Sequence, residues 1–183
     1  MAARAVLQAA LDLLDRRDVG FRGLTMQAVA ARSGVSKATL YRWWPNKAHL
    51  VLDAYRSKAA RDVAAPLTGD LRTDLQTHLG RLAFALINLE SARTVTEITL
   101  AAAEDRSFGE LYRQTLLKER RQAVLDILTA GRARGQVRVD ADLAVAADAA
   151  FGAIHHRLLL TKEPIDGHFI AALAALIVGG LSR

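Results

Sequence analysis

Apolar residues recur along this chain at intervals of three and four, the period of a helix, and no stretch of useful length alternates with the period of a strand. Val6, Leu7, Ala10, Leu13 and Leu14 form the first stripe, with Gly20 shortly past its end. Thr25 reads as the N-cap of a short helix carrying Met26, Val29 and Ala30. That helix stops near Ser33-Gly34, where glycine tolerates the left-handed backbone of a helix end. Ser36 caps a third helix that Pro45 forces to finish, and Asn46 caps a fourth running through Leu50, Val51, Ala54 and Tyr55 to about Arg61. Beyond the candidate linker Ala64-Ala65-Pro66-Leu67-Thr68-Gly69, the stripe Leu71, Leu75, Leu79, Leu82 and Leu86 predicts a long helix, and residues 91–104 another. A longer one carries Phe108, Leu111, Leu116, Ala123, Ile127 and Leu128 and ends at Gly131 to Gly135. Asp140 is expected to cap the next, with Leu143, Ala147, Ala150, Ile154 and Leu158 on one face and Pro164 breaking it. Phe169, Leu173, Leu176, Ile177 and Gly180 line the last. The pattern predicts an all-α protein of about nine helices.

Composition narrows the class. Of 183 residues, 51% are hydrophobic and 24% charged, enough to bury a substantial core. The absence of cysteine excludes disulfides, thiolate chemistry and cysteine zinc sites, and fits a cytoplasmic protein. No segment reaches the roughly 18 uncharged apolar residues of a membrane span, and the first helix is broken by Gln8 and Asp12 as no signal peptide is. No membrane partner is expected. The net charge of +6 is unevenly placed: residues 1–62 hold 11 Lys+Arg against 5 Asp+Glu, whereas residues 63–183 hold 14 of each. A basic segment on a neutral apolar body suits a nucleic-acid module on a larger scaffold better than a merely solvated face.

The two short helices on either side of Gly34 have the spacing of a helix-turn-helix. The second is only about two turns long and needs neighbours to hold it. Leu40 and Trp44 form its inward face, which leaves Lys37, Ala38, Tyr41 and Arg42 outward. Lysines also stand just inside two successive helix starts, at Lys37 and Lys47, where the helix dipole disfavours cations. They make sense there if phosphates sit at the same places, bound by backbone N–H groups. Two such anchors would hold the helix between them against base edges in a major groove.

The stretch LTMQAVAARSGVSKATLYRWWPNKAHLVLDAY, residues 24–55, resembles the DNA-binding domain of the tetracycline-repressor (TetR) family. The likeness begins at Val6 and extends to about residue 61, and the set Thr25, Ala30, Gly34, Val35, Ser36, Thr39, Leu40, Tyr41, Lys47 and Leu50 carries it. The resemblance implies a DNA-binding domain over residues 1–62 and a helical regulatory and dimerisation domain over residues 63–183. It implies that Thr25, Ser36, Thr39, Tyr41 and Lys47 contact phosphates, and that Gln27 and Lys37 read bases with Ala38 and Arg42 beside them. Lysine can donate to guanine and glutamine suits adenine. Trp44 stands where the family usually has phenylalanine and is expected to be a core substitution.

In the body, the resemblance and the alanine-rich stripes of the last two helices point to a homodimer joined through Ala147, Ala150, Ile154, Leu158, Phe169, Leu173, Leu176 and Ile177. The family places a small-molecule effector among residues 70–134, where Arg81, Glu97, Tyr112 and Arg113 are the candidate polar groups. His155 and His156 are adjacent, point apart on a helix and cannot pair on a metal, while His49 and His78 read as surface residues. No metal or cofactor is expected, and no phosphate-binding glycine loop, HExxH or nucleophile elbow occurs. Two functional readings follow: a ligand-released repressor on a palindromic operator, or a helical enzyme or carrier whose basic segment is only a docking surface. Sequence-neutral DNA binding is a blander third.

Overall fold

The computed structural model describes residues 2–62, 67–87 and 89–182. Among the described residues there is no strand. The helices are α1 (Ala2–Leu14), α2 (Gly20–Gly23), α3 (Met26–Ser33), α4 (Lys37–Trp43), α5 (Lys47–Asp62), α6 (Leu71–Ile87), α7 (Leu89–Glu104), α8 (Arg106–Tyr112), α9 (Lys118–Ala133), α10 (Leu143–His156) and α11 (Gly167–Leu181). π-helical turns at Arg113–Leu117 and Arg157–Thr161 follow α8 and α10. The expected helices are all present. The four-residue α2 is an addition, and the longer helix expected from Phe108 to Gly131–Gly135 divides at the first π turn. Of the expected linker, Ala64 to Pro66 lie outside the described residues.

Two compact units form, one from Met1–Arg61 with Asn88–Leu117, the other from Asp62–Ile87 with Lys118–Arg183. In the first, α1 buries Val6, Ala9, Ala10, Leu13 and Leu14 and packs on α3. The helix starts follow their caps. The Thr25 hydroxyl accepts from the Ala28 N–H at 3.1 Å, that of Ser36 from Thr39 at 3.2 Å, and the Asn46 side chain from His49 at 3.2 Å. Each satisfies an N–H that the helix leaves without an internal partner. Gly34 closes α3 at φ 71°, in the left-handed region. Leu24, Leu40, Leu50 and Tyr55 complete this core.

In the second unit, α6 packs on α9 and α11, and α10 on α9 and α11. Leu71, Leu75, Leu79, Leu82 and Leu86 are fully buried, as their stripe predicts. Two expectations are corrected. Asp142, not Asp140, caps α10, accepting from Ala144 and Val145, because Leu143 is the first helical residue and its immediate predecessor is the one that can reach these N–H groups. His78 is buried, only 8% exposed, because α6 is covered by both α9 and α11 rather than along its leucine stripe alone. Burial, reinforced by the Arg81 charge, lowers its pKa. Asp74 is buried too. Burial works to raise its pKa, but bonds from the Thr68 hydroxyl and the Thr68 and Gly69 N–H groups, with the Arg134 charge, outweigh this and hold the carboxyl below the usual range. It thereby pins the turn that opens α6. By length and composition alone, Leu143–Thr161 would cross a membrane; a core helix passes the same test, and this one carries Asp148 paired with Arg121 at 2.8 Å.

Candidate nucleic-acid interface

The turn at Gly34 sets α4 against α3 so that Leu40 and Trp44 face the core, both buried. Periodicity then dictates the opposite face. Lys37, Ala38, Tyr41 and Arg42 are exposed together, with Tyr41 at 51%. The Lys37 ammonium donates to the Gln27 side-chain oxygen at 3.0 Å, which joins the two residues expected to read bases across the helix pair. Thr25 and Ser36 are exposed as well, each at the mouth of its helix, and the Ser36 and Thr39 hydroxyls lie 3.0 Å apart. This places cations, hydroxyls and an aromatic on one surface, the mixture that phosphate and base-edge contacts require.

Lys47 departs from this outward pattern. It is half-buried, its ammonium donates to the Phe21 carbonyl at 3.1 Å and the Arg22 carbonyl at 3.4 Å, and it lies 4.8 Å from the Phe21 ring centroid. Burial lowers its pKa. Trp44 is a core residue, as expected of the substitution, and its indole N–H donates to Asp53 at 2.8 Å. Trp43, which the sequence reading passed over, is 38% exposed at the end of α4 and stands edge-on to Trp44. Its signal was its place four residues after Thr39, on the same side of the helix.

The effector candidates are scattered. Glu97, on α7, accepts from the Phe21 N–H at 2.7 Å and pairs with Arg93 at 2.9 Å. Arg113 pairs with Glu110 at the surface, and Tyr112 is buried in the same unit. Arg81, in the second unit, lines an open groove of about 550 Å³ with Phe84, Ile87, Ile165 and Ile170. Among the expected dimer residues, Ala147, Ala150 and Ile154 have no exposed surface and pack within the protomer, and Leu158 is buried. Phe169 is half-buried under the Arg157 guanidinium, 3.9 Å from its ring centroid. Leu173, Leu176 and Ile177 line a second groove, of about 430 Å³, between α10 and α11, with Leu176 76% exposed. His155 is half-buried with its ring nitrogen on the Phe151 carbonyl.

An all-helical chain that presents a capped helix pair with a basic, aromatic outer face is a helix-turn-helix protein. Residues 6–54 match the family model for bacterial regulatory proteins of the tetR family, and residues 65–177 match that for the tetracyclin repressor-like C-terminal domain. An uncharacterized HTH-type transcriptional regulator of Bacillus subtilis, YdeS, is 34% identical over 93% of this chain and 84% of its own length. The DNA-binding transcriptional repressor TetR of Mycobacteroides abscessus is 33% identical over 92% and 87%. The crystal structure of the TetR family transcription regulator SCO0332 superposes with a TM-score of 0.85 at 38% identity, covering all of both chains. The chain belongs to the TetR family. It is a DNA-binding transcriptional regulator of a ligand-responsive family, whose members are regulators rather than enzymes.

Proposed function

We propose that the protein is a cytoplasmic repressor that binds a palindromic operator as a homodimer and is released by a small molecule. The exposed face of α4, with Lys37 hydrogen-bonded to Gln27, carries this reading. Gln27 and Lys37 read bases, Ala38 and Arg42 lie beside them, and Thr25, Ser36, Thr39, Tyr41 and Lys47 hold phosphates. The DNA-reading part is residues 1–62 and the regulatory part residues 63–183. A single helix pair reads too little sequence for an operator, so two copies meet through α10 and α11. The groove there supports this: Val145 and Leu176 are exposed apolar residues beside the small Ala149, Ala153 and Gly180. The stripe of Ala147, Ala150 and Ile154 instead holds the protomer together. The effector binds in the helical body, and Arg81 is the polar candidate that borders a groove. Linkage then requires DNA to weaken effector binding by the factor with which effector weakens DNA.

Selection of duplexes from a random pool, near physiological salt, tests the reading. An enriched inverted repeat is expected, with Lys37→Ala relaxing specificity at one position of each half-site. Binding that enriches nothing and only fades with salt would refute operator recognition.

A further inference from the structure

Lys47 sits at the first position of α5, where the dipole disfavours its charge, and yet its ammonium is half-buried against backbone carbonyls. What offsets the dipole is the four-residue helix α2. Its end presents the Phe21 and Arg22 carbonyls to the ammonium, and the Phe21 ring lies against the charge. Phe21 is in turn held from α7 and α8. The Glu97 carboxylate accepts its N–H at 2.7 Å, and the Phe108 ring stacks on its ring at 5.3 Å between centroids, 8° from parallel. Gly20 allows this approach. A Cβ there would stand 2.6 Å from the Glu97 carboxylate, and its φ of 56° suits glycine. Neighbouring bonds dock the same turn: Thr94 donates to the Leu14 carbonyl at 3.1 Å and Arg93 to the Arg17 carbonyl.

We propose that Phe21 and Glu97 are positioning residues for the DNA contact of Lys47, with α7 and α8 fixing Phe21 and Phe21 fixing the ammonium. An ammonium has three N–H donors. Two engage carbonyls, and the third serves a phosphate oxygen from a head already in place, so the rotamer entropy of a mobile lysine is not lost on binding. The inference rests on the reading that Lys47 meets a phosphate. It adds that α7, remote in sequence from the helix-turn-helix, sets that contact.

The test is the salt dependence of binding, measured on the selected operator and on a mixed-sequence duplex. Removing one phosphate contact lowers the slope of log affinity against log salt by about 1 per protomer. Lys47→Met is expected to do this and to weaken binding roughly tenfold per protomer, about a hundredfold for the dimer. Glu97→Ala is expected to lower the slope equally, and the double variant to match Lys47→Met alone. Glu97→Gln, which keeps an acceptor for Phe21, retains the slope, and so does Thr94→Val, which loosens the same docking without touching Phe21. Where Glu97→Ala lowers the folded fraction, Phe108→Leu takes its place with the same expectation. Additive losses for Lys47→Met and Glu97→Ala, or an unchanged slope in Glu97→Ala, overturn the relay while leaving the phosphate contact standing. An unchanged slope in Lys47→Met overturns both.

Discussion

Replacing Gly20 by alanine tests the docking of α2 on α7 by stability alone. Alanine at a left-handed φ costs about 1–2 kcal/mol, part of it offset by a less flexible unfolded chain, so about 1 kcal/mol remains. Gly34 supplies the control: its φ is 71° and a Cβ there meets nothing within 4 Å. Gly34→Ala is therefore expected to cost about that backbone term alone. At Gly20 the new Cβ would lie 2.6 Å from Glu97 and 2.7 Å from the Arg93 guanidinium. Both are ends of long side chains and withdraw easily, but withdrawing the carboxylate breaks its 2.7 Å bond from Phe21. A hydrogen bond to a charged group contributes about 1.5–3 kcal/mol, and half-burial favours the lower end. Gly20→Ala is thus expected to cost about 2.5 kcal/mol in total. Urea unfolding of both variants at one protein concentration measures the difference. Equal midpoint shifts with unchanged m-values would show that Glu97 is not held against Phe21, and the docking argument would fail.

Other expectations are simpler. Ser36→Ala removes the cap of α4 and should cost about 1 kcal/mol by urea unfolding, with a larger proportional loss of operator affinity because the helix is only seven residues long. Asp74→Ala leaves the Thr68 and Gly69 donors without their acceptor and should cost about 3 kcal/mol in the same assay. His78 has a lower pKa in the folded chain than its ordinary 6.5. Below that pH the unfolded state holds the extra proton, so stability falls as the solution is acidified through 6.5. His78→Leu should flatten that fall, as read from midpoints across the pH series.

Helix existence was legible because caps and periodicity are local. Thr25, Ser36 and Asn46 each bond within three residues of themselves, and the outward set Lys37, Ala38, Tyr41 and Arg42 follows once Leu40 is known to face inward. What the sequence withheld is long-range. Glu97 reads as a polar pocket candidate because nothing local reveals that its acceptor role goes to Phe21, 76 residues away. Lys47 reads only as a phosphate contact at a helix start, whereas its carbonyl and ring partners lie in α2, docked by Glu97 and Phe108. In α10 and α11 a continuous apolar surface has two faces, and periodicity does not say that Ala147, Ala150 and Ile154 take the inner one while Leu176 takes the outer.

The chain has two tryptophans, and they are neighbours at the end of α4. Their rings meet edge to face at 5.7 Å, one buried and bonded to Asp53, the other partly in water. All indole emission from this protein therefore originates at the end of α4, the helix proposed to face DNA. The spectrum is a composite of a buried and a wet fluorophore, and a duplex on the outer face should dim the wet component first. An effector bound in the body would be spectrally silent unless its influence reached α4. The unlabelled protein thus carries a built-in optical readout of whether the recognition helix has responded.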